Sequence, residues 1–316
     1  MNNVSKVYIG VDVSKDHLDV YIYPLSRFFK VKNSKSEIQK LIADLSKYDI
    51  ARIGCEATGG YEKLLAQILQ QNNHFLWIID PRRIKGFIIA QGCKSKTDKI
   101  DAKKIAEFLP QNSQNFEIIN KSENQEKLQA FINRKHDLIK FLAAEKTRLK
   151  HPSHILSISS IKKLIKILEN EIKMIEKPIQ RLINNDNILN SKSKILESIP
   201  GIGKASAAVL LAYVPELGIL NNSKISALVG VCPYNNESGK YKGKAFIKGG
   251  RRMPRNMLYM CSLTTIKYNY ILKKFYDRLV EKKKPFKVAI VAVMHKLIIL
   301  ANSLLKKGEF CKAENC

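Results

Sequence analysis

Val7-Tyr8-Ile9-Gly10-Val11-Asp12-Val13 is the stretch on which the fold turns. A run this rich in β-branched residues reads as a strand buried at the centre of a sheet. The carboxylate of Asp12 is costly to bury in such a run unless a metal or a cation compensates it. Outward from it, His17 to Tyr23 and Phe28 to Val31 read as two more strands, with turns at Ser14-Lys15-Asp16 and Pro24, so the chain opens as an antiparallel meander. Helix 36–47, strand 51–55, helix 60–71, strand 75–79 and helices at 81–90 and 97–109 are expected to follow. That order is mixed α/β around one central sheet.

The composition bounds the rest. At 316 residues and 45% hydrophobic content the chain has room for two domains, each with a core. With 55 Lys+Arg against 28 Asp+Glu, a net charge of +27 and a pI near 9.8, nucleic acid or an anionic membrane is the expected partner. Of the basic residues 44 are Lys, and Ile and Asn are also abundant, so codon bias accounts for part of the excess and charge clusters carry the weight. Six scattered Cys with no CxxC pair support neither a zinc ribbon nor a disulfide framework, which fits a reducing cytosol. The N-terminus runs straight into a strand-like segment, so no secretory signal is expected. The most apolar stretch, Val288 to Leu305, is interrupted by His295 and Lys296 and reads as a buried helix, not a membrane span.

A helical texture begins near residue 121 and breaks at His151-Pro152-Ser153. Beyond the break, Ile161, Ile165, Leu168, Ile172, Ile175, Ile179 and Leu182 form a heptad seam, read as one arm of a helical hairpin that dimerises; packing within its own domain is the plainer alternative. Pro178 is expected to kink or end this helix near Lys177. Further on, Leu196 to Lys204, followed by Ala205 to Val214, reads as helix, tight hairpin, helix. Gly201 and Gly203 would let backbone N–H groups approach a phosphate, with Lys204 adding charge, although Pro-Gly-x-Gly also makes ordinary turns.

Four acids stand out against the basic background. Asp12 lies near the end of the first strand, and Glu56 follows the 51–55 strand at its C-terminal edge, where α/β sheets place ligands. Asp98 and Asp101, three apart in Lys96-Thr97-Asp98-Lys99-Ile100-Asp101-Ala102, project from one face of a helix's first turn. Each alone has a local explanation: a turn, a solvated loop, an N-cap, a lysine pair. Together, hard oxygen ligands suit magnesium or manganese, and two such ions about 3.5–4 Å apart can stabilise the attacking and leaving oxygens of a phosphodiester.

A second constellation spans Glu237 to Arg255, where Lys240, Lys242, Lys244, Lys248, Arg251, Arg252 and Arg255 accompany one acid. Its glycines make it a loop and hairpin that can neutralise phosphates. Ser238 beside Gly239 is by itself most simply a turn residue.

In combination these segments resemble the DEDD transposases of the insertion-sequence-110/1111 class, which includes Piv-type DNA invertases. The resemblance runs nearly end to end and rests on Tyr8-Ile9-Gly10-Val11-Asp12, Glu56 with Gly60-Tyr61-Glu62, Asp80 to Phe87, Lys96 to Ala102, the Pro200–Lys204 hairpin, Ser238-Gly239, and Gly249-Gly250-Arg251-Arg252 leading to Leu258-Tyr259-Met260. It implies an α/β RuvC-like, RNase H-type domain over 1–115, a coiled-coil hairpin over 116–190 that dimerises, and a mostly α C-terminal domain over 191–316 with a helix-hairpin-helix. It also implies that Asp12, Glu56, Asp98 and Asp101 are the metal-holding tetrad, binding Mg2+ or Mn2+, and that Ser238 is a nucleophile forming a transient phosphoserine link to DNA, with the tetrad supplied by another protomer. The implied partners are double-stranded donor and target DNA, an element-encoded structured guide RNA (the bridge RNA) and further copies of the chain in a homodimer or homotetramer, in the cytoplasm at the nucleoid, with no membrane. Pro254 stands before Arg255, where relatives usually carry an aliphatic residue, and is expected to bend or shorten the helix presenting Arg255. Two other readings use the same residues differently: a Holliday-junction resolvase or nuclease that activates water on the carboxylates, and a non-enzymatic architectural DNA-binding protein relying on the hairpin and the basic loop.

Overall fold

The computed structural model describes residues 6–92, 98–112, 122–151, 155–235, 237–238, 241–243 and 245–312, with the backbone alone at 98–99, 155–156, 237–238 and 241–242. The chain divides into two units, residues 1–118 and 119–316.

The first unit is a five-stranded sheet of order β3-β2-β1-β4-β5, built from β1 (Val7–Val13), β2 (His17–Tyr23), β3 (Arg27–Lys32), β4 (Ile50–Glu56) and β5 (Leu76–Ile79). β1 is antiparallel to β2 but parallel to β4, and β4 is parallel to β5, so the meander and the crossover half meet at β1. Strand side chains alternate between faces. Val7, Ile9, Val11 and Val13, with Leu18, Val20, Ile22, Ile53 and Cys55, pack against Ile38, Leu41 and Ile42 of α1 (Lys35–Leu45) and Leu65, Ile68 and Leu69 of α2 (Lys63–Gln71). The alternate positions of each strand face the other way, toward α3 (Pro81–Ala90) and α4 (Asp98–Asn112). There Trp77, Ile79 and Ile84 pack with Ile105, Phe108 and Leu109, while Tyr21 packs with Ala102 and Ala106.

Gly10 lets α4 reach the sheet. A Cβ at Gly10 would lie 2.2 Å from the Ala102 carbonyl oxygen and 2.3 Å from the Ala106 nitrogen, so helix backbone rests directly on strand backbone. One strand over, a Cβ at Gly54 would lie 2.7 Å from Leu109 Cδ2. The two glycines are register partners, forming a groove across β1 and β4 into which α4 settles.

The second unit is helical. α5 (Glu123–Leu149) starts at a capping box in which Ser122 and Gln125 satisfy each other's backbone N–H groups, and it packs along α6 (Ile155–Asn185). The heptad seam of α6 faces α5: Leu168 and Ile179 are buried, and the remaining positions are half-buried. Ion pairs Lys135–Glu176 at 2.7 Å and Lys146–Glu169 at 2.8 Å tie the arms together. Pro178 does not end the helix as expected. α6 continues to Asn185 because Ile179 and Ile183, just beyond the proline, belong to the main core of this unit, which offsets the missing hydrogen bond.

That core joins the roots of α5 and α6 to α7 (Asn187–Glu197), α8 (Lys204–Tyr213), α9 (Asn222–Val229), α10 (Arg252–Tyr268), α11 (Tyr270–Glu281) and α12 (Phe286–Lys307). α12 is long and apolar enough to cross a membrane, but Ile290, Met294, Leu297, Ile298, Ala301 and Leu304 bury one face of it in this core. Its buried Asn302 accepts from Gly218 N–H and donates to the Leu220 carbonyl and to Asn222, so the polar group is satisfied. Between α9 and α10 run two short ribbons, β6 (Pro233–Tyr234) with β9 (Phe246–Ile247), and β7 (Glu237–Ser238) with β8 (Tyr241–Lys242).

Gly10→Ala should destabilise the first unit by about 3 kcal/mol or more, because backbone on both sides leaves the methyl no room. Gly86→Ala within α3, where a Cβ meets nothing within 4 Å, should be neutral or stabilising by up to about 1 kcal/mol. Urea unfolding of the two variants checks the contrast, and comparable losses would contradict it.

Candidate functional site

The parallel pairing of β1 and β4 brings two of the acids together. Gly10 pairs with Gly54 and Val11 with Cys55, so the next step of the ladder sets Asp12 beside Glu56 at the C-terminal ends of neighbouring strands. Neighbouring strands run about 4.8 Å apart. Both acids lie two residues beyond the groove glycines and therefore on the α4 face, where Glu56 is paired with Ile79. Asp101 immediately precedes Ala102, whose carbonyl sits against Gly10, which brings the first turn of α4 over the same part of the sheet. Asp12, Glu56 and Asp101 are all half-buried and all engaged in interactions. Asp98 opens α4, and its side chain lies outside the described residues.

The donor set is oxygen only, because Cys55 belongs to the opposite face and burial, then the negative charges of Glu62, Asp12 and Glu56, push its thiol up. Carboxylate oxygens of this kind fit a hard divalent cation better than zinc. Among the described residues no group of three or more His, Cys, Asp or Glu side chains is arranged to hold a metal ion.

An acid missed in the sequence stands next in the row. Asp19 pairs with Asp12 across β1 and β2 and is buried, and across β2 and β3 it faces Lys30, whose Nζ lies 3.6 Å from its carboxylate. The signal was available: like Asp12, it is a carboxylate inside an apolar β-run.

Glu62, quoted earlier only within Gly60-Tyr61-Glu62, organises the loop after Glu56. Its buried carboxylate accepts from the Thr58 hydroxyl, the Thr58 N–H at 3.3 Å and the Gly60 N–H at 2.9 Å. Burial pushes this carboxyl up, but the hydrogen bonds from Thr58 and Gly60 more than offset it, so it titrates below the ordinary glutamate range. Asp80 N-caps α3 and is held down to about 2, chiefly by the Arg82 side chain.

In the second unit the structure distributes the predicted basic residues between two tasks. Arg251 forms a two-pronged ion pair with Glu216, both contacts at 2.6 Å, and donates to the Tyr213 carbonyl at 2.7 Å. Arg255 donates to the Gly249 carbonyl at 2.6 Å. Both guanidinium groups thus have work within the fold. Lys248 and Arg252 are exposed. Lys240 and Lys244 lie outside the described residues, as do the side chains of Ser238 and Lys242, whose backbones pair with Tyr241 and Glu237 respectively across the β7–β8 hairpin. Pro254 neither shortens nor displaces the helix: it occupies the third position of α10, where the N–H it lacks has no helical acceptor.

The hairpin between α7 and α8 separates the two glycines in the same way. Gly201 has φ +106° and sits against α10, where a Cβ would meet Thr265 Oγ1 at 2.0 Å, so helix packing requires it. Gly203 is the N-cap of α8, with nothing within 4 Å of its Cβ position, and beside it Lys204 is exposed.

A DEDD-type transposase family associated with IS110 matches residues 9–156, and the transposase IS116/IS110/IS902 family matches residues 193–277. The chain is 27% identical to the pilin gene-inverting protein of Moraxella lacunata over 96% of its own length and 97% of the relative's. It is 26% identical, with the same coverage, to the pilin gene-inverting protein of Moraxella bovis. An uncharacterised protein of insertion element IS110 from Streptomyces coelicolor is 24% identical over 37% of this chain and 30% of its own.

Glu62→Gln should lower stability at pH 7 by about 1–2 kcal/mol, since a buried charged acceptor is replaced by a weaker one. Because the folded-state pKa of Glu62 is lowered, its contribution is complete above the ordinary value of 4.5 and is lost as pH falls through the lower folded value. The variant's urea midpoint should therefore fall less steeply than the wild type's between neutral and acidic pH. Parallel acid limbs would show that Glu62 does not carry this dependence.

Proposed function

The chain belongs to the IS110-type transposases, which process DNA, and on that premise we propose that it cuts and rejoins double-stranded DNA through a covalent link to Ser238. The observation that carries this reading is one chain matching the family twice, over residues 9–156, a range that includes the four acids, and over 193–277, a range that includes Ser238.

The serine Oγ attacks phosphorus, its bond forms as the bond to a deoxyribose oxygen breaks, and attack by another strand's hydroxyl reverses the exchange and restores the serine. Phosphodiester energy is conserved throughout, so no nucleotide cofactor is required. Asp12, Glu56, Asp98 and Asp101 hold a divalent metal, magnesium or manganese, which when bound neutralises charge on the phosphate oxygens. Glu62 keeps the loop after Glu56 in place, and Asp19 sets the charge on the other side of Asp12. Lys204, Lys240, Lys242, Lys244, Lys248 and Arg252 neutralise DNA backbone, Gly203 leaves room for a phosphate to approach the start of α8, and Gly201, Arg251 and Arg255 hold the surfaces that present them.

A structured guide RNA supplies sequence choice by base pairing, leaving the protein to read shape and charge. The chain works as a dimer or tetramer in the cytoplasm at the nucleoid, with the tetrad of one protomer serving Ser238 of another. Support for assembly comes from Leu164, Ile167 and Met174, which remain exposed on the hairpin outside the seam that faces α5. The near full-length match to two pilin gene-inverting proteins favours inversion of a DNA segment as one outcome of this chemistry.

In a recombination assay with magnesium, guide RNA and both DNA partners, Ser238→Ala should abolish the covalent protein–DNA adduct and cut recombination by about a thousandfold or more. Asp12→Ala should abolish both as well. Strand cleavage that survives Ser238→Ala but not Asp12→Ala would instead assign the chemistry to water, as in a resolvase. DNA binding without cleavage under any condition would make the protein architectural.

A further inference from the structure

Two exposed aromatic rings stand side by side at the base of the Ser238 loop. Tyr234 and Phe246 are register partners across the β6–β9 ribbon, 38% and 47% exposed. Lys248, two residues beyond Phe246 and exposed, places its Nζ 5.6 Å from the Tyr234 ring centroid and 5.8 Å from that of Phe246. Cross-strand aromatic pairs do stabilise ribbons, but stability alone leaves no reason for large apolar faces to remain open to solvent beside a cation.

The stem beneath this pair is held rigidly. A Cβ on Gly250 would fall 2.3 Å from the Gly230 nitrogen, and one on Gly230 would fall 2.4 Å from the Gly249 carbonyl oxygen, so the incoming and outgoing strands touch backbone to backbone. Arg251 N–H bonds the Leu228 carbonyl at 2.8 Å, its guanidinium is clamped on Glu216, and Arg255 holds the Gly249 carbonyl. The rings are thus carried on a fixed base, in a segment with seven basic residues and one acid.

We propose that Tyr234 and Phe246, with Lys248, form a stacking shelf for an unpaired DNA base next to the phosphate that Ser238 attacks. Aromatic faces accept any base, and a lysine over the rings meets the neighbouring phosphate, so the shelf grips a strand that has left the duplex without reading its sequence. The shelf rests on the proposed DNA chemistry and adds that the duplex opens locally at the cut.

Binding of the full chain to a short duplex, and to the same duplex with one extrahelical base, tests this by fluorescence anisotropy. The wild type should prefer the bulged DNA by about five- to hundredfold. Tyr234→Leu/Phe246→Leu should lose the preference yet bind paired duplex within about twofold of wild type, and Tyr234→Phe should keep it. On the wild type, 5-iodouracil at the unpaired position should photocross-link to Tyr234 or Phe246. The shelf is overturned if the wild type shows no preference, if the double leucine variant retains it, if the cross-link maps elsewhere, or if only a bulged RNA duplex is preferred. Salt-sensitive binding to paired duplex belongs to the proposed function and survives any of these failures; a wild type that binds no DNA overturns both.

Discussion

The contact of α4 with β1 through Gly10 governs the first unit. Backbone against backbone at 2.2 Å from a would-be Cβ leaves no slack, so the helix has one position along the strand. That position brings the turn holding Asp98 and Asp101 onto the face occupied by Asp12 and Glu56. A single methyl there would displace two acids from the other two. The site therefore depends on a residue that carries no functional group.

Charge is arranged around this contact as carefully as packing. Asp12 and Asp19 face each other, and like charges so placed repel unless a cation intervenes. Lys30 attends Asp19 from its far side, leaving the charge of Asp12 directed to its other neighbours. Glu62 takes three hydrogen bonds from its own loop and so cannot swing toward Glu56. In the second unit the same economy recurs with opposite sign. Arg251 and Arg255 spend their guanidinium groups holding the stem of the Ser238 loop, while Lys248 and Arg252 face solvent.

Several of these assignments are legible in the sequence. The 7–13 and 17–23 strands and the 81–90 helix coincide with the sequence reading because period and turn residues agree locally at each. Other positions were misjudged because a distant partner decides them. Pro178 sits inside a continuing helix since Ile179 and Ile183 reach the main core. Pro254 does not end its helix, because α10 starts two residues before it, a boundary set by Arg251 and its neighbours. The hairpin motif suggests that Gly201 opens toward a phosphate, whereas its missing side chain makes room for Thr265 more than sixty residues away.

Sequence by itself determined the order of strands and helices in the first unit, the family and the basic character, because each is written in local period, motif or composition. Tertiary structure alone decided which acids share a face, which arginines are occupied and which aromatic rings stay open. Those depend on register and on contacts between residues far apart in the chain, and a one-residue slip in pairing would turn every strand side chain to the opposite face.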